Sequence, residues 1–157
     1  MKRWMVLVIA LVGLAAVAGD APMTPDGRMV YQKVIETPGI SKAELMARAR
    51  AWSAATWNRA DKAIQLDDEE AGKFVARGRL PDGMSFTTTI EAKDGRYRYT
   101  LDGFQMYGWS FELALENGKP RFGYKKIWRE FEMMIRRYQG DLIAAMEKPS
   151  PTSDQSW

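Results

Sequence analysis

The sequence predicts an α+β domain built on a mainly antiparallel sheet, with its helices packed on one face. The prediction rests on a hairpin whose strands alternate on both sides of Asp94-Gly95, and on two segments with helical apolar spacing. The predicted order of elements is β-α-β-β-β-β-(β)-α. Short hairpins between successive strands require antiparallel pairing, and the apolar face of such a sheet needs helices to cover it.

The hairpin around Asp94-Gly95 can be predicted down to its register. Asp-Gly favours a two-residue turn, and the alternation on each side then defines which residues face each other. The predicted pairs are Lys93 with Arg96, Ala92 with Tyr97, Ile90 with Tyr99, and Thr88 with Leu101. The last three pairs form the core side. The outer face carries Glu91 opposite Arg98, Thr89 opposite Thr100, and Thr87 opposite Asp102.

Two helices frame the sheet in the predicted order. The first runs from about Ser41 to Asn58 and begins with a capping box, in which Ser41 and Glu44 satisfy each other's backbone N–H groups. The second runs from about Tyr124 to Lys148. Gly140 weakens its middle by ~1 kcal/mol relative to alanine and allows a bend there. Its apolar stripe consists of Ile127, Phe131, Met134, Ile135, Tyr138, Leu142, Ala145 and Met146.

Three further strands are predicted at 29–36, 63–68 and 73–80 from their composition and flanking turns. The segment 104–122 fits two structures. Apolar residues alternate from Trp109 to Leu115, which indicates a strand turned by Asn117-Gly118, whereas 110–116 also fits a short helix. We favour the strand.

The first 18 residues have the pattern of a signal peptide. A basic start precedes fifteen uncharged, mainly apolar residues, fewer than the ~20 that usually span a bilayer. Small residues at Ala16 and Ala18 predict cleavage before Gly19, so we expect export to the periplasm or beyond, with a retained anchor as the alternative. Absence of cysteine excludes a lipoprotein. The remaining divisions are an irregular lead-in at 19–27, one domain at 28–148 and a polar tail at 149–157.

Composition excludes several classes of function. The chain has no His and no Cys, which removes the commonest general base, cysteine nucleophiles and nearly all zinc sites. Two basic residues and no acidic residue lie in the predicted leader, so the net charge falls from +3 to +1, too little for nucleic-acid binding. We therefore expect no catalytic residue, metal or cofactor. The enzymatic alternative is a hydrolase that uses carboxylates alone, drawn from Glu91, Asp102 and Glu112.

The candidate binding residues are aromatic or basic. Tyr107, Trp109 and Phe111 are dense enough to line a ligand groove, although aromatics at alternate positions are more often core. Arg98 belongs to a set of four arginines that reads either as an anion-binding stripe or as a solvated sheet face: Arg77, Arg79, Arg96 and Arg98. The acidic run 67–70 reads as a solvated turn rather than a calcium loop.

The predicted partner is an unidentified protein, peptide or lipid. A protein or peptide could bind at the aromatic residues or add a strand to an exposed sheet edge. A lipid surface is the alternative, bound through the C-terminal helix if its apolar stripe is left uncovered.

Several strings between Val34 and Tyr99 carry a resemblance to a known family. They include Ser41-Lys42-Ala43-Glu44-Leu45, Glu70-Ala71-Gly72-Lys73 and the hairpin from Glu91 to Tyr99. The chain resembles the exported bacterial domain family of unknown function, common in Bacteroidetes, with a TATA-binding-protein-like (TBP-like) fold. The resemblance implies a curved antiparallel sheet with a helix after the first strand and another at the C-terminus. It implies no activity and no catalytic residue.

Overall fold

The computed structural model describes residues 21–150 of the 157-residue chain. The predicted leader at 1–18, the predicted cut before Gly19 and residues 151–157 of the predicted tail lie outside the described residues. The elements in order are β1 (Tyr31–Glu36), α1 (Lys42–Thr56), α2 (Ala60–Ala63), β2 (Ile64–Asp68), β3 (Lys73–Arg79), β4 (Met84–Lys93), β5 (Arg96–Met106), β6 (Trp109–Ser110), a 3₁₀ helix (Phe111–Ala114), β7 (Leu115–Glu116), β8 (Lys119–Pro120) and α3 (Lys125–Glu147).

The main sheet has the strand order β1-β5-β4-β3-β2. All pairings between the strands of residues 21–150 are antiparallel. β6 pairs with the end of β5 beyond β1, and β7 with β8 forms a separate small hairpin. An open antiparallel sheet with three helices is an α+β fold, so the predicted fold class is confirmed.

The β4–β5 hairpin has the predicted register from Lys93–Arg96 to Thr87–Asp102. The register shifts between Ser85 and Thr87, where Gly103 and Phe104 of β5 lie opposite the single residue Phe86 of β4, so β5 carries the extra residue. Alternate residues of β4 are buried along its whole length, as a sheet with one covered face requires. The predicted inner and outer faces of this hairpin are therefore confirmed.

The helix α1 begins as predicted, with one difference in its cap. The Ser41 hydroxyl accepts a hydrogen bond from the Glu44 backbone N–H at 3.2 Å. The Glu44 carboxylate does not complete the capping box, because it accepts hydrogen bonds from Arg48 and Ser150. Instead the carboxylate of Asp94 accepts from the Lys42 backbone N–H at 2.8 Å, which ties the start of the helix to the hairpin turn.

The helix α3 covers the inner face of the sheet. Its Phe131 ring contacts Phe104 of β5 at a centroid distance of 5.3 Å, and Tyr138 contacts Phe86 of β4 at 4.7 Å. The helix is continuous through Gly140. Its buried residues are Trp128, Phe131, Ile135, Tyr138, Leu142 and Met146. The apolar stripe is thus packed against the sheet and α1, which leaves the helix without the free apolar face that lipid binding through it would need.

The prediction of a strand in the segment 104–122 is wrong in the middle of that segment. Phe111–Ala114 is a 3₁₀ helix between two-residue strands, so neither the single strand nor the helix over 110–116 describes the segment. Packing decides the local structure, because the Phe111 ring stacks on Phe131 at 4.3 Å. The predicted turn at Asn117-Gly118 does form, with φ values of 53° and 76°.

Contacts of the folded domain extend past the predicted bounds of 28–148. The Ala21 backbone N–H donates to the Gly118 carbonyl at 2.7 Å, and Met23 forms a bridge with Met29. At the other end Ser150 is buried, and its backbone N–H donates to the Glu44 carboxylate. Within residues 21–150 no helix is long and apolar enough to cross a membrane.

Candidate functional site

A groove of about 440 Å³ opens where β5 turns into β6, beside the start of α3. We call it the aromatic groove and define it by five of its lining side chains: Tyr107, Trp109, Phe111, Leu113 and Tyr124. Its volume lies in the range of ~300–1,000 Å³ that is usual for ligand sites, and its wall is mostly apolar.

A tight turn positions Tyr107 at the rim of the aromatic groove. Tyr107 and Gly108 both have positive φ, 50° and 86°, and Met106 pairs with Trp109 across them, as in a type I′ hairpin. A tyrosine in this left-handed region stores about 1–3 kcal/mol of strain. The ring lies against Gly83, where a Cβ would come within 2.5 Å of it. Neighbouring backbone therefore holds the strained turn in place.

The rim of the aromatic groove is unusually exposed for its residue types. Tyr107 and Trp109 are each 73% exposed. Of the eight large apolar side chains exposed among residues 21–150, five come from the segment 107–124: Tyr107, Trp109, Leu113, Phe122 and Tyr124. Isolated exposed apolar residues need no explanation, whereas clusters of exposed apolar side chains are uncommon on the surface of a monomeric protein.

Phe111 forms the floor of the aromatic groove rather than its rim. The side chain is only 4% exposed, and its ring stacks on Phe131 and lies 6.1 Å from Trp128. The three aromatic candidates Tyr107, Trp109 and Phe111 therefore lie together. Phe111 belongs to the core and supports the two exposed rings above it.

Arg98 lies elsewhere, on the outer face of the sheet. Its guanidinium forms an ion pair with Glu91 of the neighbouring strand at 2.6 Å, and both side chains are partly exposed. Met106, which lines the groove, lies eight positions after Arg98 on β5. Eight positions correspond to roughly 26 Å along a strand. The structure does not bring Arg98 to the aromatic groove.

Two of the three carboxylates considered for hydrolysis, those of Glu91 and Glu112, hold structural hydrogen bonds. Glu112 accepts from the Met29 backbone N–H at 3.2 Å and from the Ser110 hydroxyl. Glu91 is occupied by Arg98. Glu91 is therefore bound to Arg98 on the outer face of the sheet, and Glu112 is bound to Met29 just after the lead-in.

The acidic run 67–70 is bound by an arginine. The Arg50 guanidinium holds both carboxylate oxygens of Asp67 at 2.6 and 2.9 Å and that of Glu69 at 2.8 Å. The hydrogen bonding that Arg50 donates to the Asp67 carboxylate is the main reason that the pKa of Arg50 is raised. Among residues 21–150 no group of three His, Cys, Asp or Glu side chains is arranged to hold a metal ion.

Tyr124 is the groove residue that sequence reasoning missed. It was predicted only as the start of the last helix, and it precedes α3 as its N-cap residue. A signal was present in Tyr107-Gly108, because glycine at the second position of a two-residue turn favours a hairpin. Such a hairpin brings Trp109 back beside Tyr107 and directs the following chain toward α3.

Comparison with known proteins supports the fold. Residues 31–107 match the family described as a domain of unknown function (DUF4468) with TBP-like fold. A crystal structure of a DUF4468 family protein from Bacteroides ovatus superposes with a TM-score of 0.65 and 19% identity, covering 85% of this chain and 94% of that one. A TBP-like protein from Parabacteroides distasonis gives a TM-score of 0.65 and 16% identity, covering 82% and 98%.

The sequence matches none of the curated proteins. At 16–19% identity the two crystal structures bear on the fold and not on activity. The predicted family resemblance is confirmed: residues 31–107 match the model of the DUF4468 family of domains of unknown function, with a TBP-like fold.

Proposed function

We propose that the chain is an exported, non-enzymatic binding module of the cell envelope, and that the aromatic groove receives apolar side chains of a partner protein or peptide. The observation that carries this proposal is the pair of exposed rings, Tyr107 and Trp109, held by a strained turn above the buried Phe111. The proposal of export rests on the basic, apolar and small-residue pattern at 1–18.

The energetics favour a binding role for the two exposed rings. Tyrosine and tryptophan are enriched at binding hot spots, because they bury large area at a low cost in side-chain entropy. Burying either ring from its present exposure releases about 2 kcal/mol of hydrophobic free energy. A partner that covered both rings and Leu113 would therefore gain enough to offset part of the cost of association.

The chemistry of the chain supports a non-enzymatic role. Without His or Cys, catalysis would have to rely on carboxylates, hydroxyls or amines. Glu91 and Glu112 hold structural partners, as described above.

A capture experiment tests this proposal. The purified chain is immobilised, proteins that bind from envelope extract are identified, and the dissociation constant of each purified candidate is measured. We expect Trp109→Ala to raise the dissociation constant at least tenfold. Met133→Ala is the matched control, because Met133 is an exposed apolar residue on α3 outside the groove lining, and it should leave binding unchanged. Equal binding by wild type and Trp109→Ala would contradict the proposal.

A second candidate function is contact with a membrane surface at the same end of the molecule. It is favoured by Phe122, which is fully exposed just outside the groove. Four basic residues lie within four positions of it in the sequence: Lys119, Arg121, Lys125 and Lys126. Exposed aromatics beside lysine and arginine are typical of proteins that lie on anionic bilayers.

Sedimentation with vesicles distinguishes the two candidates. Membrane contact predicts that the chain sediments with vesicles containing an anionic phospholipid, less so with zwitterionic vesicles, and that Phe122→Ser abolishes the effect. No sedimentation with either vesicle, together with capture of a protein that requires Trp109, supports the first proposal alone.

A further inference from the structure

A second depression, of about 570 Å³, lies beside β3, across the β4–β5 hairpin from β6 and the aromatic groove. It is bounded by the connection between α1 and α2 and by the end of β3. We call it the basic pocket and define it by six of its lining residues: Trp57, Arg59, Lys62, Arg77, Gly78 and Arg79. In the sheet, Arg79 of β3 pairs with β4, β4 with β5, and β5 with Ser110 of β6 beside the aromatic groove. Arg79 and Ser110 are therefore three strand spacings apart, or roughly 14 Å.

The backbone at the basic pocket has an open edge. The pairing of β2 with β3 reaches no further than Ala76, opposite Ile64. The Leu80 backbone N–H donates to Met84 of β4 at 2.7 Å, so the preceding N–H, that of Arg79, is directed away from β4. No strand of residues 21–150 pairs with Arg79 on that side, so its N–H is a donor available to a ligand.

The charge at the basic pocket is of one sign. Four cationic side chains and no carboxylate line it. Arg77 is held by three neutral acceptors: the Thr87 hydroxyl at 3.0 Å, the Gly103 carbonyl at 3.1 Å and the Gln105 side chain at 2.8 Å. These contacts hold the guanidinium over β4 and β5, away from the open edge of β3. The charge at that edge therefore comes from Arg59, Lys62 and Arg79.

The other cations of the basic pocket are largely unneutralised. Lys62 and Arg79 form no ion pair within the described part of the chain. The guanidinium of Arg59 is 3.9 Å from the Asp61 carboxylate, and both side chains are more than 60% exposed, so that pair is weak. By contrast Arg98, on the outer face, is neutralised by Glu91. Of the four arginines considered together in the sequence, Arg77 and Arg79 line the basic pocket, Arg98 is paired with Glu91, and Arg96 lies at the start of β5 outside the pocket.

Trp57 forms an apolar wall of the basic pocket. It is only 5% exposed and packs directly on Gly78, where a Cβ would overlap its ring carbons. Its indole N–H has no acceptor within residues 21–150. A low-dielectric wall beside the cations strengthens their attraction for an anion relative to cations in open water.

We propose that the basic pocket binds a tetrahedral oxyanion, a phosphate or sulfate group carried by a small ligand. Arg59, Lys62 and Arg79 supply the charge, the Arg79 backbone N–H supplies a directed donor, and the volume leaves room for the part of the ligand that carries the group. This site does not depend on the proposed role of the aromatic groove.

Titration with inorganic phosphate and with sulfate tests this proposal. Amide and indole resonances of the purified chain are followed by NMR at constant ionic strength, with chloride as the reference anion. We expect saturable shifts at the Arg79 amide and the Trp57 indole N–H. Lys62→Gln with Arg79→Gln should weaken binding at least tenfold. Arg137→Gln is the matched control, because this exposed arginine of α3 is remote from the pocket, and it should change affinity less than twofold.

The pH separates the two oxyanions. Phosphate near pH 5.5 carries one charge rather than two, so its affinity should fall below its value at pH 7.5, whereas that of sulfate should not change. A preference for either oxyanion over chloride supports the proposal. No saturable shift at about 10 mM of either anion, or equal binding by the double variant, would overturn it. Unchanged urea midpoints for both variants establish that any loss is not due to unfolding.

Discussion

Space around Gly78 is tightly limited, because a Cβ there would overlap the Trp57 ring. Gly78 lets the Trp57 indole lie on the backbone of β3, while Phe86 contacts the ring with centroids 6.2 Å apart. We expect Gly78→Ala to lower the free energy of unfolding by about 1–3 kcal/mol, the usual cost of overpacking a core. Urea unfolding followed by circular dichroism measures the change.

Gly140→Ala is the control for this prediction. No atom lies within 4 Å of a Cβ placed at position 140, and the residue is inside α3. Alanine should therefore raise the free energy of unfolding by about 0.5–1 kcal/mol. If Gly78→Ala were as stable as wild type, the packing of Trp57 on β3 would not be the constraint we describe.

Glu44 joins the start of α1 to the end of α3. Its carboxylate accepts from the Arg48 guanidinium at 2.9 Å and from the Ser150 backbone N–H at 2.8 Å, and Arg48 donates to the last turn of α3 at the Met146 carbonyl. Burial alone raises the pKa of the Glu44 carboxyl. The hydrogen bonds from Ser150 and Arg48 outweigh burial, so the pKa is lowered overall.

A pH series tests the Glu44 contact. Because the pKa of the folded state lies below that of the unfolded state, the contribution is complete above about pH 4.5 and is lost as the pH falls through the lowered value. We expect Glu44→Gln to cost about 1–2 kcal/mol at pH 7, with the difference from wild type shrinking below pH 4.5. The control Glu130→Gln, an exposed carboxylate, should change stability by less than about 0.5 kcal/mol. A Glu44→Gln deficit that is equally large at pH 3 and pH 7 would contradict the assignment.

At the scale of elements, one buried hydrogen bond joins α3 to the sheet. The hydroxyl groups of Thr88 on β4 and Tyr138 on α3 are 2.7 Å apart. Burial raises the pKa of the Tyr138 phenol, although the hydrogen bond with Thr88 acts in the opposite direction. The phenol therefore stays neutral, and each hydroxyl satisfies the other in an apolar interface.

A double-mutant cycle on Thr88 and Tyr138 tests this interface. Tyr138→Phe and Thr88→Val should each cost about 1–3 kcal/mol, because each leaves the other hydroxyl unsatisfied. The double variant should cost less than the sum of the two. Thermal unfolding of the four proteins measures the coupling. Strict additivity would mean that the two hydroxyls do not stabilise each other.

Elements governed by local patterns could be predicted from the sequence. The register around Asp94-Gly95 follows from turn chemistry and alternation, and the cap at Ser41 follows from its own residue type. Elements governed by distant packing could not. Phe111 starts a 3₁₀ helix because its ring stacks on Phe131, twenty residues later, and no local pattern contains that contact.

The candidate site was predictable only in part for the same reason. The density of aromatic residues at Tyr107, Trp109 and Phe111 indicates where the groove is. Their alternation predicts that all three rings lie on one face of a strand. In the structure a turn at Tyr107-Gly108 interrupts the strand, and two of the rings are exposed while Phe111 is buried. Arg98 could not be excluded from the sequence, because its distance from the groove depends on the length of β5.

On the scale of the whole molecule, the shared fold and the candidate site occupy different parts of the chain. The family match covers β1–β5 and α1 and ends at Tyr107. Four of the five residues that define the aromatic groove follow that boundary. We therefore expect the sheet to provide a scaffold and the segment 107–124 to determine what binds.

The most direct test of this account is photocrosslinking in living cells. A photoreactive phenylalanine analogue replaces Trp109 in one protein and Met133 in another, two exposed apolar positions of which only the first lines the groove. We predict a light-dependent adduct with a specific envelope protein from position 109 and none from position 133. The absence of an adduct at position 109, or the same adducts at both positions, would contradict the claim that the aromatic groove is a binding site.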